Sequence, residues 1–392
     1  MEIIKGKYAE AKVFANDLEQ YARAQLQMIC DNAVSEGSRI RVMPDVHPGK
    51  VGTIGLTMTV GKRVIPNLLG IDIGCGVSCM RVSARHVEFE KLDRVVRECV
   101  PAGFVLRQKP HRMAAGFAFE KLLAGDSVRY DRAVLSLGTL GGGNHFIEVE
   151  QSTAGAHWVT VHTGSRYLGK AVTEYYVEQG ARRLKEKGES VPHPMTYLEG
   201  DLMEAYLTDV KTVQEYAALN REIILQEIAK GMKWKEEERF SSVHNYVEEA
   251  VDGAHRQCIL RKGAISAKKG EKVIIPINMR DGVLLGIGKG NADWNESAPH
   301  GSGRILRRDE VKNHYTVAAF KQEMKGIYTT SVSADTLDEA PFAYRGLEQI
   351  LDAVQETVEV TDVLKPVYCF KAGSGKEALQ RQEGRRKGAH RK

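Results

Sequence analysis

The sequence predicts an α+β fold, a single compact catalytic domain of mixed sheets flanked by helices over residues 1–373. Three observations predict it. Stretches with helical and with strand periodicity follow one another irregularly, without the strand–helix–strand rhythm of a doubly wound sheet. No linker and no internal repeat divides the chain. Side chains suited to metal binding are scattered from residue 72 to residue 300, so they must converge in space to act together.

In chain order, residues 1–40 read as a lead-in strand and a helix. The helix starts after Asn16-Asp-Leu-Glu-Gln and places Leu18, Tyr21, Ala22, Leu26 and Ile29 at helical spacing. Residues 40–85 read as strands and turns: Ile40-Arg-Val-Met, Thr53–Val60, Arg63-Val-Ile and 77–82. Residues 88–125 read as mostly helical, with Phe89, Leu92, Val95 and Val96 as one apolar stripe. Residues 132–169 read as strands, with His145 and His162 at turns or strand ends. The clearest helix covers 199–233: Met203, Tyr206, Val210, Val213, Tyr216, Ala217, Asn220, Ile224 and Ile228 follow three-four spacing and stop near Gly231. Residues 244–290 are strand-rich, 305–325 helical, and Val367-Tyr-Cys-Phe-Lys371 the last strand.

A chain of 392 residues, 42% hydrophobic, can bury a large core. No apolar run approaches the ~20 residues of a membrane helix, and Met1-Glu-Ile-Ile-Lys-Gly-Lys7 is no signal peptide. The expectation is a cytoplasmic monomer without membrane contact. The six cysteines have no framework spacing and read as free thiols. Cys75 and Cys79 have knuckle spacing, but no second pair follows. Net charge is +5. The tail 374–392 carries seven basic residues (Lys376, Arg381, Arg385, Arg386, Lys387, Arg391, Lys392) against Glu377 and Glu383, an excess that accounts for the whole chain's charge. The tail reads as a disordered solubilising end or as an RNA contact.

The chemistry-bearing residues sit in glycine-rich or polar turns. Asp72 and Cys75 share Gly70-Ile-Asp-Ile-Gly-Cys-Gly76, where both can face one ion and the thiolate can bridge two. His145 follows Gly141-Gly-Gly-Asn144, a run able to cradle phosphate through backbone N–H groups but lacking the Lys-Ser/Thr of a P-loop. Asn144 suits a phosphate oxygen, and Glu148 either orients a ligand histidine or contacts a bound base. Val161-His-Thr-Gly-Ser-Arg166 offers an imidazole for metal and a guanidinium for phosphate. His244-Asn245 repeats the theme. One thiolate, these imidazoles and a carboxylate suffice for one or two divalent ions. His300, in Ala298-Pro-His-Gly-Ser-Gly-Arg304, is then left as an exposed nucleophile that attacks an activated phosphorus to give a phosphoramidate. Charge on the triphosphate would be met by metal.

Together these motifs closely resemble the RtcB-type RNA ligases. The resemblance runs from about Met43 to Lys371 and takes in Pro44-Asp-Val-His-Pro-Gly-Lys50, residues 70–76, 138–148 and 162–169, His244-Asn245, Arg261-Lys-Gly-Ala264, residues 300–304, Asp338-Glu-Ala-Pro-Phe-Ala-Tyr344 and the strand ending at Lys371, all in order. It implies a GTP- and Mn2+-dependent ligase joining RNA 3′-phosphate or 2′,3′-cyclic phosphate ends to 5′-hydroxyl ends in RNA repair or tRNA splicing. By the same resemblance, Cys75 bridges two Mn2+ ions, with Asp72 and His145 completing one site and His162 and His244 the other. His300 takes GMP; Asn144, Phe146 and Glu148 line the guanylate pocket with Gly301, Ser302 and Gly303; Tyr344 and Lys371 contact the nucleotide; Arg166 meets a phosphate of RNA or triphosphate. Asp45 and His47 lie in a family motif without an assigned ligand role. The chain departs from the family at Pro276-Ile-Asn-Met-Arg-Asp-Gly282, where many members have Pro-Gly-Ser-Met-Gly, and at Ser302, where Ala is usual. The changed loop motivates an alternative, a cyclic phosphodiesterase or RNA 3′-end nucleotidyltransferase that does not seal. A non-catalytic RNA-binding protein is the third reading, which the intact ligand set argues against.

Overall fold

Strand alternation organises two sheets. The structure, a computed structural model, describes residues 1–252 and 255–373; the basic tail lies outside the described residues. Six strands form the first sheet in the spatial order Glu2–Lys5, Glu10–Val13, Ile40–Pro48, Thr53–Val60, His255–Lys262, Asn245–Asp252. Seven form the second: Glu236–Val243, Gly76–Val82, His157–Thr163, Phe146–Gln151, Val358–Phe370, Gly282–Gly288, Lys272–Asn278. The second sheet curls until its outer strands meet, where Ile274 N–H donates to Ser242 Oγ at 2.9 Å.

Successive side chains on a strand point to opposite faces, and the second sheet uses both. Val77, Cys79, Trp158, Ile274, Val283 and Leu364 fill the inside of the curl. Met80, Val82, Ile147, Val149, Val159 and Val161 face outward onto the helices Phe89–Cys99 and Gly200–Met232. The first sheet packs Ile40, Val42, Leu56 and Met58 against Leu26 and Ile29 of the helix Gln20–Cys30. The helix Gly200–Met232, about 50 Å long at 1.5 Å per residue, serves both cores. Tyr206, Val210, Val213 and Tyr216 join the first, Ile224, Leu225 and Ile228 the second. Among the described residues no helix is long and apolar enough to cross a membrane.

The mixed α/β class agrees with the expectation, and so do the early strands, the first helix and the long helix. Three stretches differ. Only Phe89–Cys99 of 88–125 is α-helical; Pro101, Gly103 and Pro110 then interrupt it, leaving loops and short 3-10 turns. Within 132–169, the read strands give way to helix at both ends, Tyr130–Ser136 and Arg166–Glu186. The last strand is far longer than its apolar tip, running Val358–Phe370, because a central position in the sheet supplies partners on both sides.

Candidate metal and nucleotide site

Neighbouring strand ends assemble the first group of side chains. His162 lies on His157–Thr163, with Phe146 opposite it on one side and Val77 on the other. His145 and Cys75 sit just before the adjoining strands Phe146–Gln151 and Gly76–Val82, so strand spacing alone brings the three together. His244 occupies the one residue between Glu236–Val243 and Asn245–Asp252. Asp72 enters from the turn after the short helix Pro66–Leu69.

Cys75 Sγ lies 3.5 Å from His145 Nε2 and 3.4 Å from His162 Nε2. His162 Nε2 is 2.9 Å from His244 Nε2, and His145 Nε2 is 3.2 Å from Asp72 Oδ2. The side chains form two groups able to hold an ion, Asp72/Cys75/His145 and Cys75/His162/His244, with the sulfur common to both. The donor chemistry fits a cation. His145 Nδ1–H donates to Leu140 O at 2.9 Å and His162 Nδ1–H to Asn144 O at 3.2 Å. Both Nε2 atoms therefore face the group, and that of His145 meets a carboxylate oxygen, a contact that either a proton or a bound cation between them satisfies. Burial, then neighbouring imidazoles, hold His162 and His244 neutral, the form that ligates. Burial, then the Asp72 carboxylate, push the Cys75 thiol up; a bound divalent ion would reverse that by favouring thiolate. Burial alone would raise the Asp72 carboxyl, but its contact with His145 wins and holds it below the usual carboxylate range.

His300 leaves the strand Ser297–Pro299 beside this group, its ring 4.8 Å from that of His244. It is less exposed than its flanking small residues suggest, at 16% for the side chain. The reason is Asp45, which the motif contained without a role. Its fully buried Oδ2 accepts from His300 Nδ1–H at 2.6 Å and from the His300 backbone N–H at 3.2 Å. The ring is thereby held by Nδ1, with Nε2 on the side away from Asp45. The Asp45 carbonyl also accepts from His47 Nδ1–H at 3.0 Å, and burial lowers His47 to about 4.

One cavity joins the remaining side chains. Asn144, Phe146, Glu148, His300, Gly301, Ser302, Gly303, Tyr344 and Lys371 all line it, with His47, Arg304 and Glu339. Glu148 points into the cavity, accepting from Cys369 Sγ at 3.1 Å, and burial raises it to about 7. Glu339, also unassigned by the motif, ties the far wall together. It accepts from Lys371 Nζ at 3.1 Å and Tyr344 Oη at 2.5 Å and pairs with Arg308 at 2.6 Å. The changed loop also differs from what its polarity suggests. Asn278 lines the cavity, but Arg280 pairs with Asp281 and Glu323, and Asp281 also accepts from Asn278. Those charges satisfy one another beside the cavity.

Arg166 is not among the residues lining this cavity. It sits at φ +54, donates to Thr139 Oγ1 and Gly103 O at 3.3 Å each, and lies where a Cβ on Gly141 would be. That packing closes off Gly141 as a phosphate cradle, leaving Gly143 and Asn144 as the exposed part of the run.

A family model described as tRNA-splicing ligase RtcB matches residues 32–126 and 124–372. The chain belongs to the RtcB family. It is 29% identical over 409 residues to RNA-splicing ligase RtcB of Escherichia coli K12, covering 94% of this chain and 99% of that protein. RNA-splicing ligase RtcB1 of E. coli ATCC 25922 gives the same figures, 29% over 409 residues with 94% and 99% covered. The tRNA-splicing ligase RtcB of Archaeoglobus fulgidus is 28% identical over 433 residues, covering 85% of this chain and 89% of that one.

In this RtcB-family chain the turns are braced by two residues whose part no motif announced. Asn220 and Arg221 are buried mid-way along Gly200–Met232. Asn220 Oδ1 accepts from the N–H groups of Gly138 and Thr139 at 2.7 and 3.1 Å, and its Nδ2 donates to Thr139 O and Gly164 O at 3.1 Å each. Arg221 donates to Gly74 O at 2.7 Å, Thr163 O at 2.9 Å and Ser78 Oγ at 3.0 Å. The helix thus clamps the turns that carry Asp72, Cys75 and His145 and the end of the strand that carries His162. Gly164 belongs to the same design, since a Cβ there would strike the Asp72 carboxylate. The sequence signal for Asn220 was a polar residue within an apolar stripe; Arg221 gave none. Arg221→Leu is expected to destabilise the fold by about 3–5 kcal/mol, because three buried acceptors lose their donor. Urea unfolding measures it, and a change under 1 kcal/mol would refute the brace.

Proposed function

We propose that this chain is a GTP- and Mn2+-dependent RNA ligase. It joins RNA 3′-phosphate or 2′,3′-cyclic phosphate ends to 5′-hydroxyl ends through a covalent His300–GMP intermediate, in RNA repair or tRNA splicing. The observation that carries this reading is the Asp45-pinned imidazole of His300, which lines one cavity with Asn144, Glu148 and Lys371 next to two metal-capable groups that share one sulfur. The family and the relatives named as RNA-splicing ligases support it.

His300 Nε2 attacks the α-phosphorus of GTP; a P–N bond forms as the bond to pyrophosphate breaks. An oxygen of the RNA 3′-phosphate, freed from any cyclic form by hydrolysis, then takes the GMP and releases the imidazole. The 5′-hydroxyl oxygen attacks the activated 3′-phosphate, loses its proton and expels GMP. Mn2+ held by Asp72/Cys75/His145 and by Cys75/His162/His244 would supply positive charge to the reacting phosphates. Lys371, Tyr344, Phe146 and Glu148 receive the guanine end, with Asn144 and residues 301–303 along the nucleotide, and the guanidinium N–H groups of Arg166 that are not spent on Thr139 and Gly103 would meet an RNA phosphate.

Incubation with Mn2+ and GTP labelled at the α-phosphate tests the reading. The expected result is an acid-labile, hydroxylamine-sensitive GMP adduct, absent in His300→Ala, whose metal content is unchanged. No protein-bound label in the unaltered chain would end the ligase reading. RNA opened or capped but never joined would favour the non-sealing alternative.

Nucleotide capture should depend on pH through Glu148. Guanine presents N1–H and N2–H donors, so only the ionised carboxylate is a full acceptor. With Glu148 raised to about 7 by burial, GTP affinity should rise as pH increases through that value. Glu148→Gln should flatten the profile and lower affinity roughly tenfold or more above neutrality, a loss expected of a charged hydrogen bond. A GTP binding titration from acid to alkaline pH decides; an unchanged slope in the variant would exclude Glu148 as the reader.

A further inference from the structure

Phe104 leaves 69% of its surface exposed although the loop beneath it is firmly held. Gly103 N–H donates to Gly141 O at 2.8 Å, and Gly103 O accepts from Arg166 Nη2 at 3.3 Å. A few residues on, Arg107 donates to Leu137 O at 2.9 Å and to Cys99 O and Gly138 O at 3.0 Å each. The loop is therefore strapped to the glycine run that leads into Asn144 and His145. Singly exposed apolar residues are ordinary, but this one stands on a held backbone, one residue from the carbonyl that Arg166 grips.

An unpaired RNA end offers a phosphate and a base together. A guanidinium answers the phosphate, and an aromatic face answers any base, since every base has a π-face. We propose that Phe104 is a stacking platform for the terminal base of an RNA strand whose end group reaches Arg166 and the two metal-capable groups. This rests on the RNA-end chemistry of the proposed function and adds to it the residue that seats the strand. It also gives the chain tolerance of sequence at the joined nucleotide, because stacking reads no hydrogen-bond pattern.

The test uses the full chain, Phe104→Ala and Phe104→Trp, with RNA carrying 2-aminopurine either at a 3′-phosphate end or at a 5′-hydroxyl end. Stacking quenches the fluorophore in the unaltered chain at whichever end Phe104 serves. Alanine should abolish the quenching and raise the KM for that RNA by roughly 5- to 100-fold; tryptophan should restore both. The effect belongs to the RNA, so it falls on KM for RNA and not on labelling of His300 by GTP alone. Equal quenching and equal KM in the unaltered chain and Phe104→Ala would overturn the platform, whether or not His300 takes label. Failure of His300 to label in the unaltered chain would instead sink the ligase reading itself.

Discussion

Cys75→Ala should remove activity by at least about 1000-fold, because one sulfur serves both metal-capable groups and metal charge is worth several kcal/mol at a reacting phosphate. Each group has only three protein side chains, and Cys75 is the member they share. Its loss leaves Asp72 with His145, and His162 with His244, each pair too small to hold a divalent ion firmly. Bound Mn2+, measured by elemental analysis after gel filtration, should fall for both sites together. His244→Ala should in contrast remove one ion and leave the Asp72/Cys75/His145 group. The fold should survive, since the thiol is already unfavourably placed for ionisation beside Asp72 without a cation. Full metal content in Cys75→Ala would refute the shared-sulfur centre.

Asp45→Asn should slow formation of the His300–GMP adduct by up to roughly 10,000-fold, the loss seen when a buried aspartate that fixes a reacting histidine is made neutral. The carboxylate accepts from both His300 Nδ1–H and the His300 backbone N–H. An asparagine amide can meet Nδ1 with its own N–H, which favours the tautomer with Nε2 protonated and removes the nucleophilic lone pair. Asp45 is a positioning residue, so metal content and GTP affinity should hold while the single-turnover rate falls. Nitrogen NMR of the His300 ring gives the readout that a merely structural role would not move, a shift in the protonated nitrogen. An unaltered tautomer with an unaltered rate would dismiss the assignment.

Much of the site was legible because its chemistry is concentrated in short segments. Asp72 and Cys75 fall in one turn, and His145 with Asn144 in one glycine run, so residue type and local glycine content singled them out. Asp45 and Glu339 were visible only as members of motifs. Their partners, His300 and the cluster of Lys371, Tyr344 and Arg308, are distant in sequence for Asp45 and partly so for Glu339. Arg166 illustrates the converse. Spacing placed it near a histidine and suggested phosphate, whereas packing spends two of its donors on Thr139 and the Gly103 loop.

The sequence by itself determined the α+β class, the long helix with its apolar stripe, the candidate ligands and the candidate nucleophile His300, since each depends on periodicity, turn chemistry or residue type within a few positions. Only the tertiary structure decided which strand ends adjoin, and hence that one sulfur lies between two groups. It alone set the buried Asp45 against His300 and the Asn220–Arg221 clamp against the ligand turns. It also turned the changed loop's charges on one another. The physical reason is that hydrogen bonds and lone-pair directions are fixed over about 3 Å, while the residues that make them lie far apart along the chain, 255 positions in the case of Asp45 and His300.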